Sequence, residues 1–259
     1  MTATALRPAR SAPAASAAGT RRGAGAVATR ILGGAALASV IGTAWLGLFV
    51  TPPDRFMGNL VRLLYIHPAV ALVSFVAFGV TTLASLAFLW PRTRSLASDR
   101  LAGASAEVGV LFTALTLVSG SIWGRPTWGA WWTWDPLLTT TSLMFILYVG
   151  YLALRRVPAD PITRARRAAI GSLIAFIDVP IVYGSVSWWR SLHQTPSVTP
   201  GKTHIHGLMG WTFLLGFVAF LLVYAWLLVH RYRLAVLEDR EADEGLQLAI
   251  AERQAEAAE

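Results

Sequence analysis

The chain has 259 residues, of which 55% are hydrophobic and 14% are charged, and its formal net charge is +8. A soluble domain usually carries about 25% charged residues, so the composition indicates an integral membrane protein. The basic residues lie in short segments between apolar runs, which is how membrane proteins set their orientation and not a sign of nucleic-acid binding. The chain has no cysteine, which excludes disulfides, thiolate metal sites and Cys-ligated iron–sulfur clusters.

Residues 1–29 are rich in Ala, Arg, Ser and Pro and contain no acidic or aromatic residue. Such a segment buries too little apolar surface to fold alone, so we predict a disordered basic tail on the cytoplasmic side. An Arg-rich, acid-free N-terminus is also typical of an organelle transit peptide, and this alternative stays open.

Six apolar runs follow, each near the roughly 20 residues that a helix needs to cross the hydrocarbon core. They cover residues 31–50, 66–90, 104–122, 137–154, 168–187 and 208–230. Because backbone polar groups must be satisfied internally in lipid, helices are the expected spanning elements. We therefore predict an all-α integral membrane protein whose six-helix transmembrane bundle covers residues 30–234. Residues 235–259, rich in Ala, Glu and Leu, are expected to form a cytoplasmic C-terminal tail.

The distribution of Lys and Arg predicts the orientation of this bundle. If both termini are cytoplasmic, 17 of the 22 basic residues fall on the inner side and five fall on the outer side. This agrees with the excess of positive charge that cytoplasmic loops carry. The outer side then holds three loops, at about residues 51–66, 123–136 and 187–206.

The second outer loop is the most informative part of the chain. It holds five of the eleven tryptophans within twelve residues. A belt of interfacial aromatic residues explains one or two tryptophans at each helix end, but not five interleaved with Gly, Arg and Pro. Gly124 and Gly129 let the backbone turn or let a flat ligand approach closely, and the indoles offer apolar, stacking surfaces. The pattern therefore predicts a shelf for a large planar ligand.

Two histidines, His67 and His193, fall in the other two outer loops. Neutral imidazole is a common axial ligand of haem iron, so the pair is a candidate to clamp a porphyrin; the alternative for each is a structural histidine at a helix end. Arg62, Arg125 and Arg190 lie nearby, and Arg matches a carboxylate with bidentate hydrogen bonds. These arginines are candidates to bind the haem propionates, or else they snorkel to the interface.

Weaker signals come from five other polar residues: His204, His206, His230, Glu107 and Asp178. The His-x-His pair at 204 and 206 offers two imidazoles to a transition metal, and His230 is interpreted as an interfacial residue. The two acids lie inside apolar runs, where acids are functional candidates by default. Asp178 stands two residues before Pro180, so its alternative role is to bond backbone groups that a kink sets free.

Residues 123–139 closely resemble the tryptophan-rich WWD signature of the haem-handling superfamily of cytochrome c biogenesis. Two further stretches are similar to one branch of it, the haem exporter protein C (CcmC) family. They are residues 62–67, Arg-Leu-Leu-Tyr-Ile-His, and residues 185–194, Ser-Val-Ser-Trp-Trp-Arg-Ser-Leu-His-Gln. The resemblance extends from the first to the sixth predicted helix.

The resemblance implies that the protein binds haem b at the outer face of the bacterial inner membrane and presents it to the haem chaperone CcmE. It implies a complex with CcmA, CcmB and CcmD in the lipid bilayer. It also implies that the protein is an assembly factor and not an enzyme with turnover on a soluble substrate. His67 and His193 would be the axial ligands of the iron. The implied platform comprises Trp123, Trp128, Trp131, Trp132, Trp134 and Asp135, with Arg62 and Arg125 beside it.

Two positions depart from the family pattern. Leu137 stands where the family commonly has Arg, so another group such as Arg125 would have to replace it, and Asp178 stands where the family often has Asn. A CcsA-type cytochrome c synthase component shares the WWD signature but predicts additional helices and a second histidine pair within the membrane. A redox subunit with haem b between its helices also requires histidines in mid-span, and the sequence has none there. A haem transporter subunit is a further alternative.

Overall fold

The computed structural model describes the backbone of residues 14–194, 198–199, 202–203 and 205–257. Within this part, six helical segments are long and apolar enough to cross a membrane, which confirms the predicted number of spans. They are Gly25–Val50, Asn59–Leu89, Leu96–Trp128, Pro136–Arg156, Pro161–Trp188 and Gly207–Glu256. The one sheet in the described residues is a small hairpin of β1 (Val198–Thr199) and β2 (Lys202–Thr203).

The spans are built from α-helices and two short helical turns. The α-helices are α1 (Ala14–Trp45), α2 (His67–Leu89), α3 (Leu96–Trp128), α4 (Pro136–Arg156), α5 (Pro161–Phe176), α6 (Asp178–Trp188) and α7 (Gly207–Glu256). A π-helical turn, Leu46–Val50, follows α1, and a 3₁₀ helix, Asn59–Tyr65, precedes α2. α1 begins inside the segment for which disorder is expected, while residues 1–13 lie outside the described residues. α7 continues into the expected C-terminal tail, and the domain boundaries stay predictions.

Polar side chains set the starts of three helices. Ser95, Asp135 and Asp160 precede α3, α4 and α5, and each side-chain oxygen accepts a hydrogen bond of 3.0–3.2 Å from a backbone N–H of the first turn. Such caps satisfy N–H groups that have no partner within the helix. α4 and α5 also begin with Pro, which is favoured at the first helical position. The Asp135 carboxylate is therefore fixed at the start of α4.

α2 and α3 form the centre of the bundle. α2 packs against α3, α5 and α7, α3 also contacts α4, and α1 packs mainly along α7. The largest buried cluster includes Phe78 on α2, Met144 and Tyr148 on α4, and Val182 on α6. The Phe78 and Tyr148 rings stack with their centroids 3.5 Å apart. This cluster joins the helices that lead to the Trp-rich segment.

The fifth span is broken in its second half. α5 ends at Phe176, Ile177 lies between the helices, and α6 begins at Asp178. The N–H of Ile177 bonds back to the Ile174 carbonyl at 3.2 Å, which tightens the last turn of α5. Pro180 lacks an N–H, so it cannot continue the hydrogen-bond ladder across the break. The break agrees with the kink that the sequence predicts near Pro180.

α3 extends further than its apolar run predicts. It continues through the first half of the expected loop and ends at Trp128, where Gly129 adopts a left-handed conformation with φ 79°. Glycine at this position is a common helix stop because it has no Cβ to clash. Pro126 lies inside the last turns without ending the helix. As a result Trp123 and Trp128 are held on a helix, and only residues 129–135 form a loop.

The opposite end of the bundle is held by charge. Four ion pairs join helices there: Asp99 with Arg155, Glu107 with Arg231, and Asp239 with both Arg100 and Arg164. The buried Asp99 carboxylate accepts both terminal nitrogens of Arg155, at 2.6 and 2.9 Å. Glu107, singled out as an acid within an apolar run, is thus neutralised by a partner on α7.

Candidate functional site

His67 is the first residue of α2 and faces the outer end of α3. Its Nδ1 lies 3.0 Å from the Ser119 hydroxyl, which itself donates to the Leu115 carbonyl at 2.7 Å. The hydroxyl therefore accepts from Nδ1–H, and the lone pair of the imidazole is on Nε2. The ring lies against Gly120, since a Cβ there would be 3.1 Å from His67 Cε1. The helix thus sets both the tautomer and the position of this imidazole.

The Asp135 carboxylate gathers four donors and is only 6% exposed. Its Oδ1 accepts from the Leu137 N–H at 3.0 Å, the Ser191 hydroxyl at 3.1 Å and His193 Nδ1 at 3.2 Å. Its Oδ2 accepts from the Leu192 N–H at 2.6 Å. One side chain therefore caps α4, ties down residues 191–193, and orients the His193 ring with Nε2 directed away from the carboxylate.

The electrostatics of this pair favour a neutral imidazole beside an anion. Burial alone would raise the pKa of Asp135, but hydrogen bonds from the Leu192 N–H, the Ser191 hydroxyl and the Leu137 N–H outweigh it and lower the pKa. Burial lowers the pKa of His193, although the Asp135 carboxylate opposes that shift. At neutral pH His193 is thus an uncharged imidazole whose Nδ1–H points to a carboxylate, an arrangement common around metal-bound histidines.

Each histidine contacts one tryptophan of α3. Trp123 meets His67 edge-on, with ring centroids 5.6 Å apart and planes at 87°. Trp128 meets His193 with centroids 4.6 Å apart and planes at 70°. The two tryptophans are five residues apart, which is about 7.5 Å along a helix. The last turns of α3 therefore bring the two imidazoles to the same end of the bundle.

The other tryptophans of the segment form an exposed apolar surface. Trp131, Trp132 and Trp134 lie on the loop between α3 and α4, and Trp134 is 83% exposed. Trp132 and Trp134 contact each other edge-on, with ring centroids 5.7 Å apart. Trp188 and Trp189, at the end of α6, are exposed as well. A patch of this kind usually marks a binding surface.

The three outer arginines differ in how they are used. Arg62 donates to the Leu48 carbonyl and to the Asn59 side chain, which ties the end of the first span to the 3₁₀ helix. Arg125 donates to the Gly129 carbonyl at 2.5 Å and so supports the end of α3. Arg190 forms no hydrogen bond or ion pair within the described residues and lines a cavity of about 360 Å³ beside Asp135. Arg190 is the arginine best placed to receive an anion next to His193.

The remaining candidates lie apart from this cluster. His206 precedes α7 and makes no capping hydrogen bond, and His204 lies outside the described residues. His230 bonds the Trp226 carbonyl at 2.8 Å, 23 residues along α7 from Gly207, and its interfacial role stays a prediction. Leu137 packs against the core cluster around Tyr148, so its side chain points into the bundle.

Sequence reasoning missed the residues that hold the two histidines in place. Ser119 and Gly120 lie in an apolar run with nothing to distinguish them, and their roles appear only when α2 and α3 are packed. Ser191 could have been noticed, because it precedes His193 by two residues and accepts its backbone N–H at 3.0 Å. The bond between His193 and Asp135 spans 58 residues and has no periodic signal.

Comparison with known proteins identifies the family of the chain. Residues 12–247 match the family model described as heme exporter protein C. The chain is 38% identical to the heme exporter protein C of Haemophilus influenzae over 202 residues, covering 77% of this chain and 80% of the relative. It is 41% identical to that of Bradyrhizobium diazoefficiens over 157 residues, 59% of each chain. A putative cytochrome c biosynthesis ccmC-like mitochondrial protein of Arabidopsis thaliana is 35% identical over 210 residues, 78% of this chain and 79% of the relative. The chain belongs to the heme exporter protein C family.

Proposed function

We propose that this chain binds haem at the outer face of the membrane and presents it for transfer to the haem chaperone CcmE during maturation of c-type cytochromes. The observation that carries the proposal is the matched pair of imidazoles. His67 and His193 each have Nδ1 engaged by a hydrogen-bonding partner, which leaves the Nε2 lone pair of each ring available to bind a metal. Relatives named heme exporter protein C and ccmC-like cytochrome c biosynthesis protein support a haem-handling role.

The residues present fit haem b as a non-covalently held cargo. Two neutral imidazoles are a suitable axial pair for its iron, and indole faces suit the porphyrin plane. Arg190, with Arg62 and Arg125 farther from His193, would meet the propionates by charge-assisted hydrogen bonds. The protein supplies position and ligand basicity through Ser119 and Asp135, and we assign it no catalytic residue.

Presentation requires that the site be open to a partner. Trp131, Trp134 and Trp188 leave apolar surface exposed around the histidines, and we propose that CcmE docks there. The excess of basic residues at the other ends of the spans supports cytoplasmic termini, and with that orientation the proposed site faces the outer side of the bacterial inner membrane. CcmA, CcmB and CcmD are the proposed partners within the membrane complex.

Two alternative functions require histidines inside the bundle. A synthase component of the CcsA type and a redox subunit with haem b between its helices both need histidines that face each other in mid-span. In the described residues His67, His193 and His206 lie near one end and His230 lies near the other. These positions favour a carrier at the surface over either alternative.

A haem transporter subunit is the remaining alternative. A vesicle assay distinguishes it from a carrier, because movement of haem across the bilayer by the purified chain alone would contradict the proposal.

Haem spectroscopy tests the axial pair. The purified chain is expected to bind haem as a six-coordinate complex, and His67→Ala and His193→Ala are each expected to give a five-coordinate complex with weaker binding. The double variant should lose specific binding. His230→Ala is the matched control and should resemble the unmodified protein. Six-coordinate haem of equal abundance in the double variant would refute the assignment.

Transfer is tested separately from binding. In cells that produce CcmE, a Trp188→Ala variant, which leaves the implied haem platform intact, is expected to bind haem but to yield less haem-loaded CcmE than the unmodified chain. Equal loading of CcmE would contradict docking at this surface while leaving the haem site untouched.

A further inference from the structure

The break in the fifth span places an acid inside the bundle with no partner. Asp178 is the first residue of α6 and is 4% exposed, and its Oδ2 has no hydrogen-bond partner. Asp178 takes part in none of the ion pairs among the described residues. It precedes Trp188 by ten residues, about 15 Å along a helix, so it lies well within the hydrocarbon region.

Two hydroxyl groups near this carboxyl are also unsatisfied. Tyr148 on α4 is 0% exposed, Thr82 on α2 is 7% exposed, and neither hydroxyl has a hydrogen-bond partner. Tyr148 packs in one buried cluster with Val179 and Val182 of α6. Its hydroxyl interacts electrostatically with Asp178, the first residue of that helix. A buried polar group without a partner usually costs about 1–3 kcal/mol, so three of them in one place are unusual. Such a cluster indicates a polar site and not ordinary core packing.

The backbone at the break adds unpaired acceptors. Pro180 carries no N–H, so the Phe176 carbonyl, four residues earlier, lacks its usual helical donor. Broken helices inside membranes are tolerated where the freed groups face protein or a polar cavity. Carbonyls freed in this way accept hydrogen bonds but cannot neutralise a carboxylate.

The titratable groups that face Asp178 supply no countercharge. α4 presents Tyr148, Tyr151 and Arg155, but the Arg155 guanidinium is committed to Asp99 at 2.6 and 2.9 Å. α2 carries one titratable side chain, His67 at its first residue, which is 15 residues from Thr82.

The charged side chains on α5 and α3 are also distant from Asp178 or already bound to other groups. The α5 arginine nearest in sequence, Arg167, precedes Asp178 by 11 residues, about 16 Å of helix, and donates to the Leu154 and Val157 carbonyls. Arg164 and Arg166 are farther along the same helix, and Glu107 on α3 is paired with Arg231. An ionised carboxylate here would stand in the membrane without a cation, which is strongly unfavourable.

We propose that Asp178 is an intramembrane proton-binding site, in which the carboxylate takes up one proton to become a neutral acid beside the Tyr148 and Thr82 hydroxyls. The neutral acid donates its O–H to a buried oxygen that otherwise lacks a donor. Proton uptake removes the charge and satisfies an acceptor in one step, so a proton is the ligand that this group of oxygens fits. The proposal is independent of haem.

Labelling with dicyclohexylcarbodiimide tests the proposal on the full chain in lipid nanodiscs. This apolar reagent reacts with protonated carboxyls: the acid proton moves to a carbodiimide nitrogen, and a carboxyl oxygen bonds to the central carbon. We expect an adduct at Asp178, mapped by peptide mass spectrometry, whose rate of formation falls about tenfold per pH unit above the midpoint. Asp178→Asn should carry no adduct at that peptide.

Asp54 is the internal control. It is exposed and in water, and hydrogen bonds from the Met57 and Phe56 N–H groups lower its pKa, so it should remain unlabelled across the same pH range. If Asp178→Asn fails to fold, the pH dependence of the mapped adduct in the unmodified chain still decides the matter. No adduct at Asp178 at any pH in folded protein, or an adduct independent of pH, would overturn the proposal. If sodium but not choline protects Asp178 from labelling, the site binds a metal cation, and this result would also overturn the proposal.

Discussion

Replacing Asp135 with Asn tests whether this carboxylate controls His193. With its oxygen in the Oδ1 position, the Asn side chain would still accept from His193 Nδ1 and from the Leu137 N–H. Its amide group would then face the Leu192 N–H, where the native contact is a hydrogen bond of 2.6 Å. Two donors would point at each other, so residues 191–193 would lose their anchor to α4, and the imidazole would lose its anionic partner.

The size of the effect follows from two independent considerations. A hydrogen bond to a charged group contributes about 1.5–3 kcal/mol. Mutation of the hydrogen-bonding partners of metal-bound histidines typically weakens metal affinity by about 10- to 100-fold, which corresponds to about 1.4–2.8 kcal/mol at 1.4 kcal/mol per tenfold. The two ranges overlap, so we expect the Kd for haem to rise by about 10- to 100-fold in Asp135→Asn.

Haem titration of the purified variant, followed by redox potentiometry, measures this effect. Without the carboxylate the imidazole is a poorer electron donor, so the reduction potential of the bound haem should also rise. Asp54→Asn is the matched control, since Asp54 is an outer-loop acid that caps its own loop and contacts neither histidine. A Kd and a potential in Asp135→Asn that both match the unmodified protein would refute the role of Asp135 in positioning His193.

Three further outcomes are expected. Ser119→Ala removes one neutral hydrogen bond from His67, worth about 0.5–1.5 kcal/mol, so haem titration should show affinity about two- to tenfold weaker; unchanged affinity would contradict the assigned tautomer. Asp99→Ala leaves Arg155 buried without its partner, so thermal unfolding in detergent should show that the free energy of unfolding falls by about 3–5 kcal/mol. A double variant that lacks both Asp99 and Arg155 should lose less stability. Because burial keeps the pKa of His193 below its usual 6.5, haem binding should be constant from neutral to mildly acidic pH and fall only below that lowered pKa, as followed by absorbance.

The number of spans could be predicted because lipid imposes a length on each apolar run. The first and last residues of the helices could not be predicted, since they depend on capping residues and helix-ending glycines outside the apolar core. α3 is longer than its apolar run of 104–122 because Ser95 starts the helix and Gly129 stops it. The helix over residues 14–29 has no apolar signal of its own, and composition favoured disorder there.

Only the coarse outline of the site follows from the sequence. Charge asymmetry placed His67, His193 and the Trp-rich segment in one compartment, and the ring contacts with Trp123 and Trp128 agree with that expectation. The ligand roles stay predictions. The partners that orient the imidazoles could not be predicted, because each bond joins residues more than 50 positions apart and depends on how the helices pack.

The length of α7 determines how far the chain extends beyond the membrane. Its 50 residues span about 75 Å, more than twice the roughly 30 Å of the hydrocarbon core. One unbroken helix thus starts at the end of the bundle that holds His67 and His193 and projects far beyond the opposite surface of the membrane. The helix packs along α1 and is joined to α3 by the Glu107–Arg231 and Arg100–Asp239 ion pairs. About 45 Å of it extends past the hydrocarbon core, so a spectroscopic label on its C-terminal turns would report the orientation of α7 as a whole.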